Sequence, residues 1–220
     1  MHARAAWIAD SRLHARLVRC GVCAVDNADP QMMTTELRTQ RLILRRWRES
    51  DREPFARLNG DPEVMRYFVA PHTRSESDAA VDRIMEDFER NDHGLWAVEI
   101  PGEASFIGYT GLWHPPYMQV VEVGWRLDKP YWGKGYATEA ARAAVADGFE
   151  RVGLNEIVSF TSPLNTPSIR VMERLGMTHD PADDFEHPNV PAGHPLRLHV
   201  MYRLSRERWL AQSGVEGSIA

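Results

Sequence analysis

Along this chain the apolar positions switch between alternating and helical spacing, and glycine or proline marks most of the switches. Ala137, Ala140, Ala141, Ala144, Val145, Gly148, Phe149 and Val152 recur at i, i+3, i+4 and i+7. That spacing predicts a helix with one apolar face, and Gly153 stands where a C-terminal glycine belongs. Ala80, Val81, Ile84, Met85 and Phe88 predict an earlier helix over 76–90. Strand-like runs cover 95–100, 106–113 and 120–127, separated by Pro101-Gly102 and Pro115-Pro116. Before them, 41–47 reads as a strand, Ser50 and Asp51 cap a short helix through Leu58, and Asp61-Pro62 opens another. Residues 157–161 read as a buried strand, Thr166-Pro167 starts a helix that Gly176 ends, and 196–204 alternate as a last strand. The stretch 180–195 has no readable period. Strands grouped first, with one strand–helix–strand crossover later, predict the α/β class with a mixed sheet.

Composition narrows the function classes. The 220 residues are 43% hydrophobic and 26% charged, an ordinary globular balance. The 26 basic and 31 acidic residues leave a net charge of −5, which argues against general binding to nucleic acid or an anionic membrane. The longest uncharged stretch, 104–121, is broken by Gly108, Gly111, His114, Pro115 and Pro116, so no membrane span is expected. Two cysteines make no disulfide framework, and a cytoplasmic setting is the expectation. Residues 1–33 carry Arg4, Arg12, Arg16 and Arg19 with few acids, and hold both Cys20 and Cys23. They read as a poorly ordered extension with some transit-peptide character, ahead of a domain over 34–212 and a tail over 213–220. Removing the extension is expected to leave the fold intact. The nine histidines show no metal-ligand spacing: there is no HExxH, and His187, His194 and His199 are separated by a loop and a strand. No Gly-x-Ser-x-Gly elbow is present.

The chemistry concentrates at Tyr131-Trp132-Gly133-Lys134-Gly135-Tyr136-Ala137-Thr138-Glu139-Ala140, which follows a strand and opens a helix. Two glycines and an alanine leave backbone N–H groups unobstructed, and the helix start adds free amides and a positive dipole end. This is a cradle for a phosphate or pyrophosphate, to which Lys134 either adds charge or faces solvent. A P-loop fails here, since Asp128 and Gly135 occupy the positions of its first glycine and its Ser/Thr. A dinucleotide fingerprint fails because Thr138 replaces its third glycine. A tight glycine turn without a ligand is the remaining alternative.

Trp132 to Ala140 resembles the acyl-CoA pyrophosphate loop of the GCN5-related N-acetyltransferases (GNAT). Asn165-Thr-Pro-Ser168-Ile-Arg-Val-Met-Glu-Arg-Leu-Gly-Met177 resembles that family's second signature. The opening Leu37-Arg-Thr-Gln-Arg-Leu-Ile-Leu-Arg-Arg-Trp47 resembles the RimJ/RimL branch, which acetylates ribosomal-protein N-termini. The resemblance implies a mostly antiparallel central sheet with splayed middle strands and flanking helices. It implies that Trp132, Gly133, Lys134, Gly135, Tyr136, Ala137 and Thr138 hold the pyrophosphate of acetyl-CoA. The strand carrying Val123 and Trp125 would pair with the pantetheine arm, and Asn165 and Ser168 would lie near its sulfur. Trp132 departs from the family's usual Gln or Arg. Met172 stands where many relatives carry a tyrosine that protonates the departing thiolate, so no tyrosine acid acts from that place.

The implied reaction is direct attack of an amine on the acetyl thioester. A lysine-like amine costs about 4.6 kcal/mol to neutralise at pH 7, and an α-amine near pKa 8 about 1.4 kcal/mol. Glu122 is the candidate base. Strand alternation puts it on a face with Gly124 and Arg126, opposite Val121, Val123, Trp125 and Leu127. An exposed Glu122–Arg126 surface pair is the competing reading. Glu139 reads as a base or as a first-turn capping group, and Ser168 as a relay to the leaving sulfur or a helix-start donor. A strand N–H near Val123 to Trp125 is the candidate oxyanion donor. Tyr67, Phe68, Trp96, Trp113 and Trp132 read as core or pocket wall. The expected acceptor is a peptide N-terminal α-amine, with a small amine such as a polyamine or aminoglycoside as alternative. A non-catalytic acyl-CoA sensor is the rival from another class; a monomer or homodimer needing no metal is expected. With an acidic domain, CoA binding would rest on the amides of Gly133 to Ala137, and the surplus charge would favour a cationic amine.

Overall fold

A short ribbon, β1 (Leu37–Arg38) with β2 (Ile43–Arg45), opens the fold in this computed structural model, which describes residues 36–91 and 93–213. The arginine-bearing extension, the Cys20–Cys23 pair and the tail over 214–220 lie outside the described residues. The strand expected over 41–47 is only three residues long, because Arg48 begins a tight turn into α1 (Arg52–Gly60). Then come α2 (Arg74–Asn91), β3 (Leu95–Ile100), β4 (Ala104–Trp113), β5 (Glu122–Leu127), α3 (Tyr136–Glu150) and β6 (Glu156–Thr161). The chain ends with α4 (Thr166–Arg174), β7 (Thr178–His179), β8 (Phe185–Glu186), β9 (Leu198–Ser205) and α5 (Arg206–Ser213).

The sheet runs β1-β2-β3-β4-β5-β6-β9-β7, with β8 also paired to β9. Among the described strands every ladder is antiparallel except β5–β6, which α3 connects as the expected crossover. The alanine face of α3 (Ala140, Ala141, Ala144, Val145) is fully buried with Val123 and Leu112 of the sheet, and small side chains let helix and sheet approach closely. Gly148 helps keep that approach close: a Cβ on it would lie 2.8 Å from Leu112 Cδ1 and 2.9 Å from Ile157 Cδ1, so those side-chain ends would have to shift.

One expectation fails and one element goes unforeseen. Asp61-Pro62 opens one turn and no helix: Asp61 Oδ1 caps the Glu63 N–H at 2.8 Å and Met65 N–H donates to the Asp61 carbonyl at 3.0 Å, but the turns stop after residue 67 and are not propagated. The chain over 61–73 instead arches across one face of the sheet. The terminal helix α5 is not legible in the sequence, because one buried anchor, Trp209 against Phe149 at 6.0 Å between rings, replaces a periodic apolar face. No helix among the described residues is long and apolar enough to cross a membrane.

Candidate active site

A cleft of about 1860 Å³ runs from the glycine loop, through the gap between β5 and β6, to the segment over 187–199. Its first part is the loop itself. Trp132 is pinned by its indole N–H to the Leu127 carbonyl at 2.7 Å. Gly133 and Gly135 then take φ of +73° and +83°, in the left-handed region where a side chain is strained. Gly135 is the residue before α3 and supplies no side-chain cap, while the first intrahelical bond runs from Glu139 N–H to the Gly135 carbonyl. The amides of Tyr136, Ala137 and Thr138 thus have no intrahelical acceptor, at the positive end of a 15-residue helix. A Cβ on Gly133 would meet nothing within 4 Å and one on Gly135 only Arg41 Nη2 at 3.4 Å, so the backbone conformation and not a clash calls for glycine here. That is the geometry a pyrophosphate needs. Lys134, Arg142, Arg170 and Arg174 also line the cleft, so backbone amides are not the only positive groups available to an anion.

Glu139 is a structural clamp here. Its Oε1 accepts from the Thr39 hydroxyl at 2.6 Å and the Arg41 N–H at 2.8 Å, and its Oε2 from Arg41 Nε at 2.6 Å. Arg41 Nη1 also donates to the Lys134 carbonyl at 3.0 Å, tying the loop to the β1–β2 turn. Although burial works the other way, the Thr39 hydroxyl and Arg41 hold the Glu139 carboxyl below its usual range. It is therefore unsuited to act as a base.

The gap between β5 and β6 starts at Glu122. The two parallel strands pair only at Glu122↔Val158, where Val158 N–H donates to the Val121 carbonyl at 2.9 Å. The next rung of a parallel ladder would take Phe160 N–H to β5 backbone. The Glu122 carboxylate accepts that N–H instead. Beyond this point the strands diverge, and by the alternation of amides along β5 the backbone of Trp125 faces the opening. The other donor to Glu122 is Trp113 Nε1–H, at 2.7 Å to Oε2. Burial pushes the Glu122 carboxyl up to about 8, against the two N–H donors, which favour the ionised form. The exposed Glu122–Arg126 pair is thereby overturned: both residues are buried and they make no ion pair with each other.

Past Glu122 the sequence reading missed a whole wall. Phe160, Phe185, His187 and His199 pack ring to ring, with His187 and His199 at 4.7 Å. His187 Nδ1 accepts the Asn189 N–H at 3.2 Å, and burial followed by its neighbour His199 holds the ring neutral, down to about 4. The ring proton is then on Nε2, which donates to the Tyr117 hydroxyl at 2.7 Å and leaves the tyrosine proton free to turn elsewhere. Only the antiparallel pairing of β8 with β9 joins His187 to His199; their twelve-residue separation carries no periodic signal.

The other expected residues fall as follows. Val123 is core and offers only its backbone; Trp125 is half-buried at the cleft. Asn165 spends its side chain on the protein, accepting from Ser168 N–H at 3.4 Å and donating to Thr161 Oγ1 at 2.9 Å. Ser168 lines the cleft near Met172, which is buried. Trp96 is core, while Tyr67, Phe68, Trp113 and Trp132 are cleft wall.

A mixed sheet that opens between two parallel strands above a glycine-cradled helix start defines an acetyl-transferring enzyme. The chain belongs to the GNAT family: the family model for the acetyltransferase (GNAT) domain matches residues 41–178. A curated relative, the FsC-acetyl coenzyme A-N(2)-transacetylase of Aspergillus fumigatus, is 30% identical over 192 residues, 79% of this chain and 77% of its own. A solved GNAT acetyltransferase from Bacillus anthracis superposes with a TM-score of 0.67 at 28% identity, covering 79% of this chain and 99% of the other. RimL, a ribosomal alpha-N-protein acetyltransferase solved in complex with coenzyme A, superposes with a TM-score of 0.65 over 79% of this chain and 99% of its own. At 16% identity that likeness is one of fold. Enzymes of this family bind an acyl-CoA and an amine acceptor.

Proposed function

We propose that this enzyme transfers the acetyl group of acetyl-CoA to the N-terminal α-amine of a peptide or protein, in the manner of the RimJ/RimL branch. The observation that carries the reading is Glu122, buried at the root of the β5–β6 gap and held by two N–H donors. A carboxylate near pKa 8 is matched to an α-ammonium near 8, so proton transfer between them is close to thermoneutral; a lysine ammonium at 10.4 would cost about 3 kcal/mol more.

In this reading the amides of Gly133 to Thr138 hold the pyrophosphate, with Lys134 at the rim. Trp125 N–H and the Val123 carbonyl meet the pantetheine arm, and Trp125 N–H is placed to steady the thioester oxyanion. Asn165 braces β6 against α4, and Ser168 borders the sulfur end. The amine nitrogen attacks the thioester carbon, the C–S bond breaks, and Glu122 takes the proton the nitrogen loses. Tyr117, aimed by His187, supplies the hydroxyl proton to the departing sulfur that Met172 cannot supply.

The test is a panel of N-terminal peptides, polyamines and aminoglycosides, scored by release of free CoA. Peptides acetylated at the α-nitrogen with the highest kcat/KM support the reading. Preferential turnover of a polyamine or aminoglycoside overturns its acceptor, leaving the acetyl transfer intact. The Arg41–Glu139 clamp gives a separate expectation. Arg41→Ala should raise KM for acetyl-CoA about two- to fivefold with little change in kcat, the size expected for a half-exposed ion pair that positions the loop. A fall in kcat at unchanged KM would show Arg41 acting in the chemistry.

A further inference from the structure

Four residues along β5 from Glu122, on the same face, stands Arg126, which has no acid partner among the described residues. The residue is buried at 8% exposure and borders the cleft. Its one hydrogen bond runs from Nη1 to Asn59 Oδ1. Nε is buried with no acceptor at all, and among the described residues no carboxylate reaches the group. Phe68 covers one face of the guanidinium at 4.1 Å, and Tyr109, its cross-strand neighbour, sits at 5.5 Å. Nearby His72 also buries an unpartnered ring atom, Nδ1; burial and then the Arg126 charge hold this ring below its usual range, hence neutral.

A lone buried guanidinium is expensive, since each buried charge wants an opposite charge or a full set of hydrogen bonds. Asn59 takes one nitrogen and leaves the Nε–Nη2 edge, the edge that meets a carboxylate with two parallel bonds. Between Arg126 and Glu122 lies Gly124, where a Cβ would touch nothing within 4 Å, so the floor between them is open. On a strand the two residues are about 13 Å apart at their Cα atoms. The face thus has a base at one end, a bare floor in the middle and an unpaired cation at the other.

We propose that Arg126 is an acceptor-specificity site that binds a carboxylate carried by the acceptor, one or two residues beyond the amine that Glu122 deprotonates. This rests on the acetyl-transfer reading of Glu122. The preferred acceptor is then a peptide with an acidic residue close behind its N-terminus, and the −5 net charge of the chain is no bar, because the recognition is local.

The probe is a pair of C-terminally amidated peptide pools, Xaa-Ala-Glu-Ala and Xaa-Ala-Gln-Ala, with Xaa randomised. Each is offered with acetyl-CoA for turnover and with desulfo-CoA for melting shifts, using the full chain. The wild-type protein should favour the Glu pool about tenfold or more in kcat/KM, the range of a charge-assisted hydrogen bond. The Glu pool should also raise the melting temperature of the desulfo-CoA complex more than the Gln pool. Arg126→Met should erase both differences without lowering the melting temperature of the free protein, since it removes an unpaired buried charge; Arg126→Lys should restore part of the preference. Equal kcat/KM for the two pools, or a preference that survives Arg126→Met, overturns the carboxylate site while acetyl transfer stands. Loss of the fold in Arg126→Met together with equal melting shifts in the wild type also overturns it. Turnover of neither pool alongside a Glu-specific melting shift supports the site and counts instead against the α-amine reading.

Discussion

Glu122→Gln is expected to lower kcat by about 10²- to 10⁴-fold, the usual contribution of a positioned general base. The glutamine keeps the size of the side chain and one acceptor oxygen, so the root of the β5–β6 gap persists, but it cannot take a proton. The loop over 133–138 is remote from the change, and acetyl-CoA should still raise the melting temperature of the variant. The pH dependence gives a second readout. Because burial pushes the Glu122 carboxyl up to about 8, the base form grows as pH rises through that value, and wild-type kcat at saturating acceptor should climb with it. In Glu122→Gln that limb disappears. A variant that keeps wild-type kcat and the same profile would remove Glu122 from the chemistry.

Gly135→Asp should weaken acetyl-CoA binding by about 10³-fold, measured by calorimetry. Two effects add. The residue has φ +83°, where a side chain is strained, and the new carboxylate lies at the helix start where the pyrophosphate is proposed to sit. Like charges about 4 Å apart near a protein surface repel by about 4 kcal/mol, which alone is about a thousandfold. Arg41 lies 3.4 Å from the position of the added Cβ, but it is already committed to Glu139 and the Lys134 carbonyl, so it cannot cancel the new charge without releasing the clamp. Gly102→Asp is the control. Gly102 has φ +75° in the β3–β4 turn with open space around it, so the backbone strain is similar and CoA binding should be unchanged. Unaltered binding in Gly135→Asp would sink the assignment of the loop.

The two variants probe residues of different legibility. Gly135 belongs to a contiguous stretch whose glycines, helix start and spacing are visible in the chain, because a backbone cradle is built from neighbours in sequence. Glu122 was visible as a residue on the right face, but whether it was exposed or buried was not. Its burial comes from Trp113, nine residues back, and Phe160, thirty-eight residues on. The same holds for Glu139, whose role is decided by Thr39 and Arg41, about a hundred residues away. Over 61–73 the cap was legible and its outcome was not: Asp61 accepts the Glu63 N–H as a helix cap would, yet the turn it starts is not propagated beyond residue 67.

By itself, the sequence determined the α/β class, the main helices and strands, the crossover through α3 and the glycine loop that opens it. All of these rest on periodicity or on neighbours, and such interactions are local. The tertiary structure decided which polar groups lose water. It pushed the Glu122 carboxyl up to about 8, the property on which its proposed role as base rests, and tied Glu139 to Thr39 and Arg41. It brought Tyr117 and His187 into hydrogen-bond contact across seventy residues, and left Arg126 buried without an acid among the described residues. The physical reason is desolvation: the energy of a charged or titratable group depends on everything packed around it, and most of what packs around these groups comes from distant parts of the chain.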